Sequence, residues 1–215
     1  MLRQNKDLVN QNGVYTIYLG CNKPRRVFCD MTTNGGGWTV IQRRIDGSTD
    51  FNREWKDYKE GFGEPSKEYW LGNDAIHDLT DRREQELWID LGKFSGSFVY
   101  ARYSNFSIGN EKDKYQLTIA GYSGNAGDAM VSSVNLNGMS FTTKDRDNDK
   151  SSASCAVKYR TGGWWYYSCG HSALNGDYQT TNKKNYKGLF WGANSENMKS
   201  VKMMIRSKLS SPYVR

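Results

Sequence analysis

Three carboxylates fall at alternate positions in the run Asp145-Arg146-Asp147-Asn148-Asp149-Lys150-Ser151. Carboxylates this close repel one another unless a cation sits among them, and such hard oxygen donors suit calcium. The run opens as an EF-hand does. Counting from Asp145, however, Lys150 stands where that loop requires glycine, and Ala156 where it requires glutamate. The EF-hand register therefore fails, which leaves a different calcium loop or a solvated acidic turn.

A second constellation follows at once. Cys155-Ala156-Val157-Lys158-Tyr159 leads into Gly162-Gly163-Trp164-Trp165-Tyr166-Tyr167, then Cys169-Gly170-His171-Ser172. Aromatic walls with a few polar groups suit small ligands, sugars and acetyl methyls among them, and the same rings can equally make a small core beneath loops. Catalysis has little to rest on. The two histidines are His77 and His171. His77 reads as a structural residue of a helix, and the chain neighbours His171 and Ser172 do not by themselves give nucleophile-to-base geometry. No G-x-S-x-G elbow occurs, and Gly35-Gly36-Gly37 lacks the Lys-Ser/Thr of a phosphate loop.

Four cysteines, Cys21, Cys29, Cys155 and Cys169, form two close pairs. Disulfides within each pair are the simplest reading, and they place the chain in an oxidising, extracellular compartment. A zinc site on Cys155, Cys169 and His171 is the alternative, though it lacks the short Cys-x-x-Cys spacing. A Cys155–Cys169 bridge would close a loop of about 15 residues and contribute roughly 3 kcal/mol. Asn105-Phe106-Ser107 is an N-glycosylation triplet, consistent with secretion. Residues 1–12 are polar and read as neither a secretory leader nor a membrane segment.

The net charge of +7 is unevenly placed. Residues 1–150 carry 20 basic and 21 acidic side chains, whereas residues 151–215 carry 10 basic side chains against Asp177 and Glu196 alone. The positive third contains the aromatic constellation, so the charge points to anionic ligands near it, with Lys183, Lys184 and Lys187 beside Tyr186. Nucleic acid is disfavoured by the disulfide-type cysteines.

These groups need elements to hold them. Period-two alternation predicts strands over 13–19, 27–31 and 38–42 as a small antiparallel unit, with further strands at 87–91, 98–106, 115–120 and 200–206. Asn73 is placed to cap a short helix with Ile76 and Leu79 on one face. Residues 121–186 are rich in Gly, Asn, Ser and Asp and predict little regular structure.

The motifs Gly13-Val14-Tyr15-Thr16-Ile17-Tyr18, Cys29-Asp30-Met31, Gly35-Gly36-Gly37-Trp38-Thr39-Val40 and Tyr69-Trp70-Leu71-Gly72-Asn73 stand in family order with Gly124-Asn125-Ala126-Gly127-Asp128, Trp164-Trp165-Tyr166, Leu174-Asn175-Gly176 and Met203-Met204-Ile205-Arg206. Together they resemble the fibrinogen C-terminal (fibrinogen-related) domain over residues 12–208. The resemblance implies an α+β fold in a single domain over 1–215. Its parts would be an N-terminal small sheet (7–42), a central antiparallel sheet with short helices (43–128 plus 199–208) and a loop-rich calcium- and ligand-binding part (129–198).

The resemblance also implies a secreted calcium-dependent recognition domain and no enzyme. Calcium would be held by the carboxylates of Asp147 and Asp149 and the carbonyls of Ser151 and Ala153. A neighbouring pocket would use Tyr159, Ser168, Cys169, Gly170, His171, Tyr186 and Trp191, with Met198 as an alternative to Trp191, and a cis peptide before Cys169. The family's ficolin- and tachylectin-type lectins bind acetylated glycans at this pocket in innate immunity, and that is the leading expectation. The alternative is a receptor-binding or matrix module of the angiopoietin or tenascin type, which the glycine at position 170 favours. Most family members oligomerise through collagen-like or coiled-coil segments, neither of which is in this chain, and the resemblance implies an oligomer for the full-length protein. The family's first bridge has no counterpart at Cys21, so a local Cys21–Cys29 bridge is expected in its place.

Overall fold

The computed structural model describes residues 11–183, 185–192 and 196–208, the side chain of Cys21 excepted. In chain order the elements are β1 (Gly13–Tyr18), β2 (Pro24–Asp30), β3 (Trp38–Arg44), α1 (Trp55–Glu60), β4 (Phe62–Gly63), β5 (Tyr69–Trp70), α2 (Asn73–Asp81), β6 (Gln85–Gly92), β7 (Phe98–Ile108), β8 (Leu117–Gly124), α3 (Cys155–Tyr159), β9 (Ser172–Ala173), β10 (Phe190–Trp191) and β11 (Ser200–Ser207). The main sheet runs β1-β2-β3-β11-β6-β7-β8, with β5 beside β3 and β4 beside β5. All of its pairings are antiparallel.

The expected N-terminal sheet is continuous with the central one. Strand β3 crosses the expected 42/43 boundary and pairs with β11, so the two sheets share one ladder. Residues 7–10 of that unit lie outside the described residues. The strand β11, drawn from the end of the chain, fills the gap between β3 and β6.

Paired residues on neighbouring strands share a face. Gln42, Met203, Ile89 and Ala101 form one transverse row, and all are buried. Residues 129–198 cover this face: the Gln42 amide donates to the Leu174 carbonyl at 2.8 Å, and the Phe106 ring lies 6.4 Å from that of Trp165. The next row, Met204, Trp88, Arg102 and Ser123, faces the other way. There Trp88 stacks on Tyr100 with ring centres 4.3 Å apart, and Glu86 pairs with both Arg102 and Arg206.

A buried polar knot joins β3 to the loops. The Glu68 carboxylate accepts N–H groups from Ile45, Asp46, Gly47 and Thr49, and Arg44 stands 3.6 Å from it. Arg44 also donates to the Gly176 carbonyl at 2.8 Å. Both side chains are almost fully buried, so each needs the other's charge and these bonds.

Three local expectations are corrected. Asn73 is the first residue of α2 and not its cap: its side chain is buried and accepts the Trp70 indole N–H at 3.0 Å, while Gly72 holds the cap position at φ 105. A side chain at Gly72 would meet the Glu60 carbonyl at 2.8 Å, so glycine is required there. The strand expected from residue 115 begins at Leu117, because Lys114 and Tyr115 take left-handed conformations, with φ of 54 and 49. The Cys21–Cys29 bridge does not form. Cys21 lies in the short turn before β2, and Cys29 lies five residues of extended strand beyond Pro24, about 16 Å at ~3.3 Å per residue. A bridge requires Cα atoms within about 7 Å. Cys29 is a buried free thiol, pushed by burial up to about 11.

Candidate recognition cleft

Helix α3 is one short turn, and its start is built by side chains. Ser154 accepts the Val157 N–H at 3.4 Å, and Asp149 accepts the Cys155 N–H at 2.8 Å. Arg160 ends it in the left-handed region at φ 53. The Cys155–Cys169 disulfide, with Cα atoms 5.2 Å apart, ties this helix to the loop 168–171. It also consumes both thiols of the alternative zinc site.

A cleft of about 250 Å³ opens beside the bridge, lined by Tyr159, Thr161, Tyr166, Ser168, Cys169, Gly170, His171, Tyr186 and Phe190. Six of the seven expected ligand residues are among them. Two separate stretches of chain supply these rings: Tyr159 and Tyr186 lie 6.2 Å apart, and Tyr186 meets Phe190 edge-on at 5.8 Å. Tyr186 is half-exposed and Phe190 nearly buried, so the wall grades from solvent to core.

Trp191 does not line the cleft. It is buried and donates its indole N–H to the Gly127 carbonyl at 2.8 Å, and Met198 is buried as well. Phe190 is the wall residue, since successive side chains of a strand point to opposite sides. Tyr166 and Thr161 were also missed. The Tyr166 hydroxyl donates to Thr161 Oγ1 at 2.6 Å, closing the cleft floor. The aromatic run divides: Trp164, Trp165 and Tyr166 are buried, while Tyr167 is 46% exposed. The expected cis peptide before Cys169 is absent. The described residues contain no cis peptide bond, and the loop turns instead through Cys169 at φ 70 and Gly170 at φ 117. His171 places Nδ1 3.0 Å from Ser133 Oγ. His77 is structural as expected, its Nδ1 2.9 Å from the Ile108 carbonyl.

The acidic run lies next to the cleft. Lys150 N–H donates to the Tyr167 carbonyl at 2.8 Å, joining the two loops. Asn148 fixes the register by bonding Phe141 and Thr142. Asp145 serves α1, accepting the Trp55 N–H at 2.9 Å. Asp147 accepts the Asp149 N–H at 3.2 Å, and Asp149 also accepts the Ser151 N–H at 2.8 Å. Burial raises the Asp149 carboxyl, the Cys155 and Ser151 N–H groups oppose that, and the Asp147 charge adds to it. Among the described residues no hydrogen bond reaches the carbonyls of Ser151 or Ala153. Two neighbouring carboxylates, one held in a raised state, and two uncommitted carbonyls are a fitting donor set for calcium. No cluster of three His, Cys, Asp or Glu occurs among the described residues, so any cation here would rest on carboxylates together with carbonyls.

Lys158, Lys183 and Lys187 are exposed, and the Lys158 ammonium sits 5.2 Å from the centre of the Tyr159 ring. Lys184 lies outside the described residues. No helix among the described residues is long and apolar enough to cross a membrane.

Comparison with known proteins agrees with this architecture. The family model for the C-terminal globular domain of fibrinogen beta and gamma chains matches residues 4–208, so the chain belongs to that family. Human angiopoietin-1 is 48% identical over 203 residues, covering 92% of this chain and 40% of its own length. Bovine angiopoietin-4 is 44% identical over the same span. The chain thus spans about two fifths of these curated relatives. Among solved structures, the fibrinogen-like globe domain of human ANGPTL6 superposes with a TM-score of 0.87 at 39% identity, covering 93% of this chain and 90% of that one. A lamprey fibrin D-dimer in complex with the peptide ligand Gly-His-Arg-Pro-amide gives a TM-score of 0.82 at 34% identity, covering 95% and 72%.

Proposed function

We propose that the chain is an extracellular recognition domain that docks a cell-surface receptor protein through the face around the Tyr159–Tyr186 cleft. The observation that carries it is the convergence of Tyr159 with Tyr186 and Phe190, from two stretches of chain, on an aromatic cleft with the exposed Lys158 against Tyr159. Exposed Val157 and Tyr167, near the cleft residues Tyr159 and Ser168 in the chain, add apolar surface outside the cleft, as a protein footprint needs. The similarity to angiopoietins supports a receptor partner above a glycan, which reverses the order expected from the pocket residues. A family relative that takes a peptide ligand supports the same direction.

Secretion is part of this proposal and is supported by the Cys155–Cys169 bridge. Calcium would be held by Asp147, Asp149 and the carbonyls of Ser151 and Ala153. The ion would supply positive charge that lets both carboxylates stay ionised. The chain's own part is to hold the loop 147–153 against Tyr167, which fixes the cleft wall. The domain carries out no reaction.

The lectin reading keeps one specific support, the tyrosine pair at 6.2 Å, which could flank an acetyl group. Titration of the domain against an angiopoietin-receptor ectodomain, alongside a glycan array with and without calcium, separates the two. Saturable binding to the ectodomain, weakened by Tyr186→Ala, is expected. Binding to acetylated or anionic glycans alone would reject the receptor reading.

A further inference from the structure

Asn105 is the one asparagine of this sequence that stands in an Asn-X-Ser/Thr triplet. A triplet alone is weak evidence, because many are buried or tied into the fold. Here the surroundings are specific. Asn105 lies within β7 and pairs with Ala120 on β8, and Ser107 pairs with Thr118. Paired residues share a face, and both Ala120 and Thr118 are exposed. The residue between them, Phe106, is fully buried against Trp165 on the face covered by residues 129–198. Asn105 and Ser107 therefore point to the opposite side, where each is partly exposed and Ser107 borders a groove beside α2.

The strand is shaped to allow this. Buried positions fall at Ala101 and Tyr103, then switch parity to Phe106 and Ile108. The switch occurs where Ser104 lies against Gly121, whose φ is 75. The pairing with β6 shifts register over the same stretch. Without that irregularity, strict alternation from Tyr103 would turn Asn105 into the core. No side-chain hydrogen bond ties down the Asn105 amide or the Ser107 hydroxyl among the described residues, so a substituent displaces no internal contact. β8 is the last strand of the sheet, so the space beyond Ala120 belongs to an open edge.

We propose that Asn105 carries an N-linked glycan, standing on the sheet face opposite the Tyr159–Tyr186 cleft and beside the β8 edge. The donor is a lipid-diphosphate-linked oligosaccharide. A bond forms between Asn105 Nδ2 and C1 of the first sugar while the bond from that C1 to the diphosphate oxygen breaks. The lipid diphosphate leaves with the electron pair, and one Nδ2 proton passes to solvent. Transfer precedes closure of β7 into the sheet, and the finished fold only has to keep Asn105 outward. A hydrophilic chain beside an edge strand also obstructs edge-to-edge pairing with a second molecule, and it leaves the cleft free.

The test is secretion of the chain from mammalian cells behind a secretory leader, followed by peptide N-glycosidase F. One mobility step on treatment is expected, with Asn105 converted to aspartate in the peptide map. Asn105→Gln and Ser107→Ala should each abolish the step, and Ser107→Thr should retain it. If Asn105→Gln is not secreted, the Ser107→Ala and Ser107→Thr pair decides. Secreted wild-type protein with an unmodified Asn105 peptide overturns the proposal, as does a glycosidase-sensitive step that survives Ser107→Ala.

Discussion

The main sheet and the loop region 129–198 are held together by different means. In the sheet, ladders of backbone bonds and a continuous set of buried strand residues share the load among many positions. The loop region is fastened mostly by a few groups: one disulfide, the carboxylates of Asp149 and of Asp128, just before the region, and indoles that donate into the backbone. Asp128 accepts from the Tyr103 hydroxyl and from the N–H groups of Met130 and Val131. Trp165 donates to the Tyr115 carbonyl at 2.8 Å. Distributed fastening gives a scaffold that tolerates change. Concentrated fastening lets loops of varied sequence carry a binding face, at the risk that one substitution loosens the whole face.

The sharpest way to break this comparison is at the junction. Glu68→Ala removes the acceptor of four backbone N–H groups and strands the buried Arg44 charge. A loss of about 3–5 kcal/mol is expected by urea denaturation, in both regions together. Next, Cys155→Ser with Cys169→Ser should cost about 3 kcal/mol locally. Hydrogen exchange should then accelerate in residues 155–190 while the strands stay protected. Equal acceleration in the strands would contradict the division.

Asp149→Ala follows, with a loss of about 1–3 kcal/mol from the two N–H groups left without an acceptor. Calcium should raise the melting temperature of the wild type and not that of this variant. Acid separates the regions by sign. Burial pushes Asp30 up, but the Lys202 hydrogen bond, the Thr33 and Thr32 N–H groups and the Lys202 charge outweigh it and hold the carboxyl well below its usual range. Its contribution is complete above pH ~4 and is lost as pH falls through the lowered folded value. Asp149 is raised, so without metal its ionised form disfavours the loop. Lowering the pH through that raised value, towards ~4, should tighten the loop before the sheet weakens. Residue-resolved exchange against pH checks both directions. The smallest structural effect is expected for Tyr186→Ala, about 1 kcal/mol, since the ring is half-exposed but packs against Tyr159 and Phe190.

Much of this was legible in the sequence, for physical reasons. Strand residues such as Leu87, Ile89 and Leu91 alternate because one face is buried, and the structure places them in β6. The cleft loops could be placed because the cysteine spacing and the Trp164-Trp165-Tyr166 motif anchor their register. What escaped depends on long-range partners. No local signal tells that Asn73 receives an indole N–H instead of capping its helix, or that Cys29 ends a strand far from Cys21. Phe190 and Trp191 are neighbours of the same chemical class, and only the pairing of β10 with β9 decides which one faces the cleft.

The most direct measurement is calorimetric titration of the wild type, Tyr186→Ala and Tyr100→Ala against an angiopoietin-receptor ectodomain in calcium. Tyr186 stands on the cleft, whereas Tyr100 lies on the opposite sheet face, stacked on Trp88. The account predicts that Tyr186→Ala weakens binding by roughly tenfold or more, as for an aromatic anchor, while Tyr100→Ala leaves it unchanged. Equal binding by all three, or loss confined to Tyr100→Ala, would contradict the placement of recognition on the loop face.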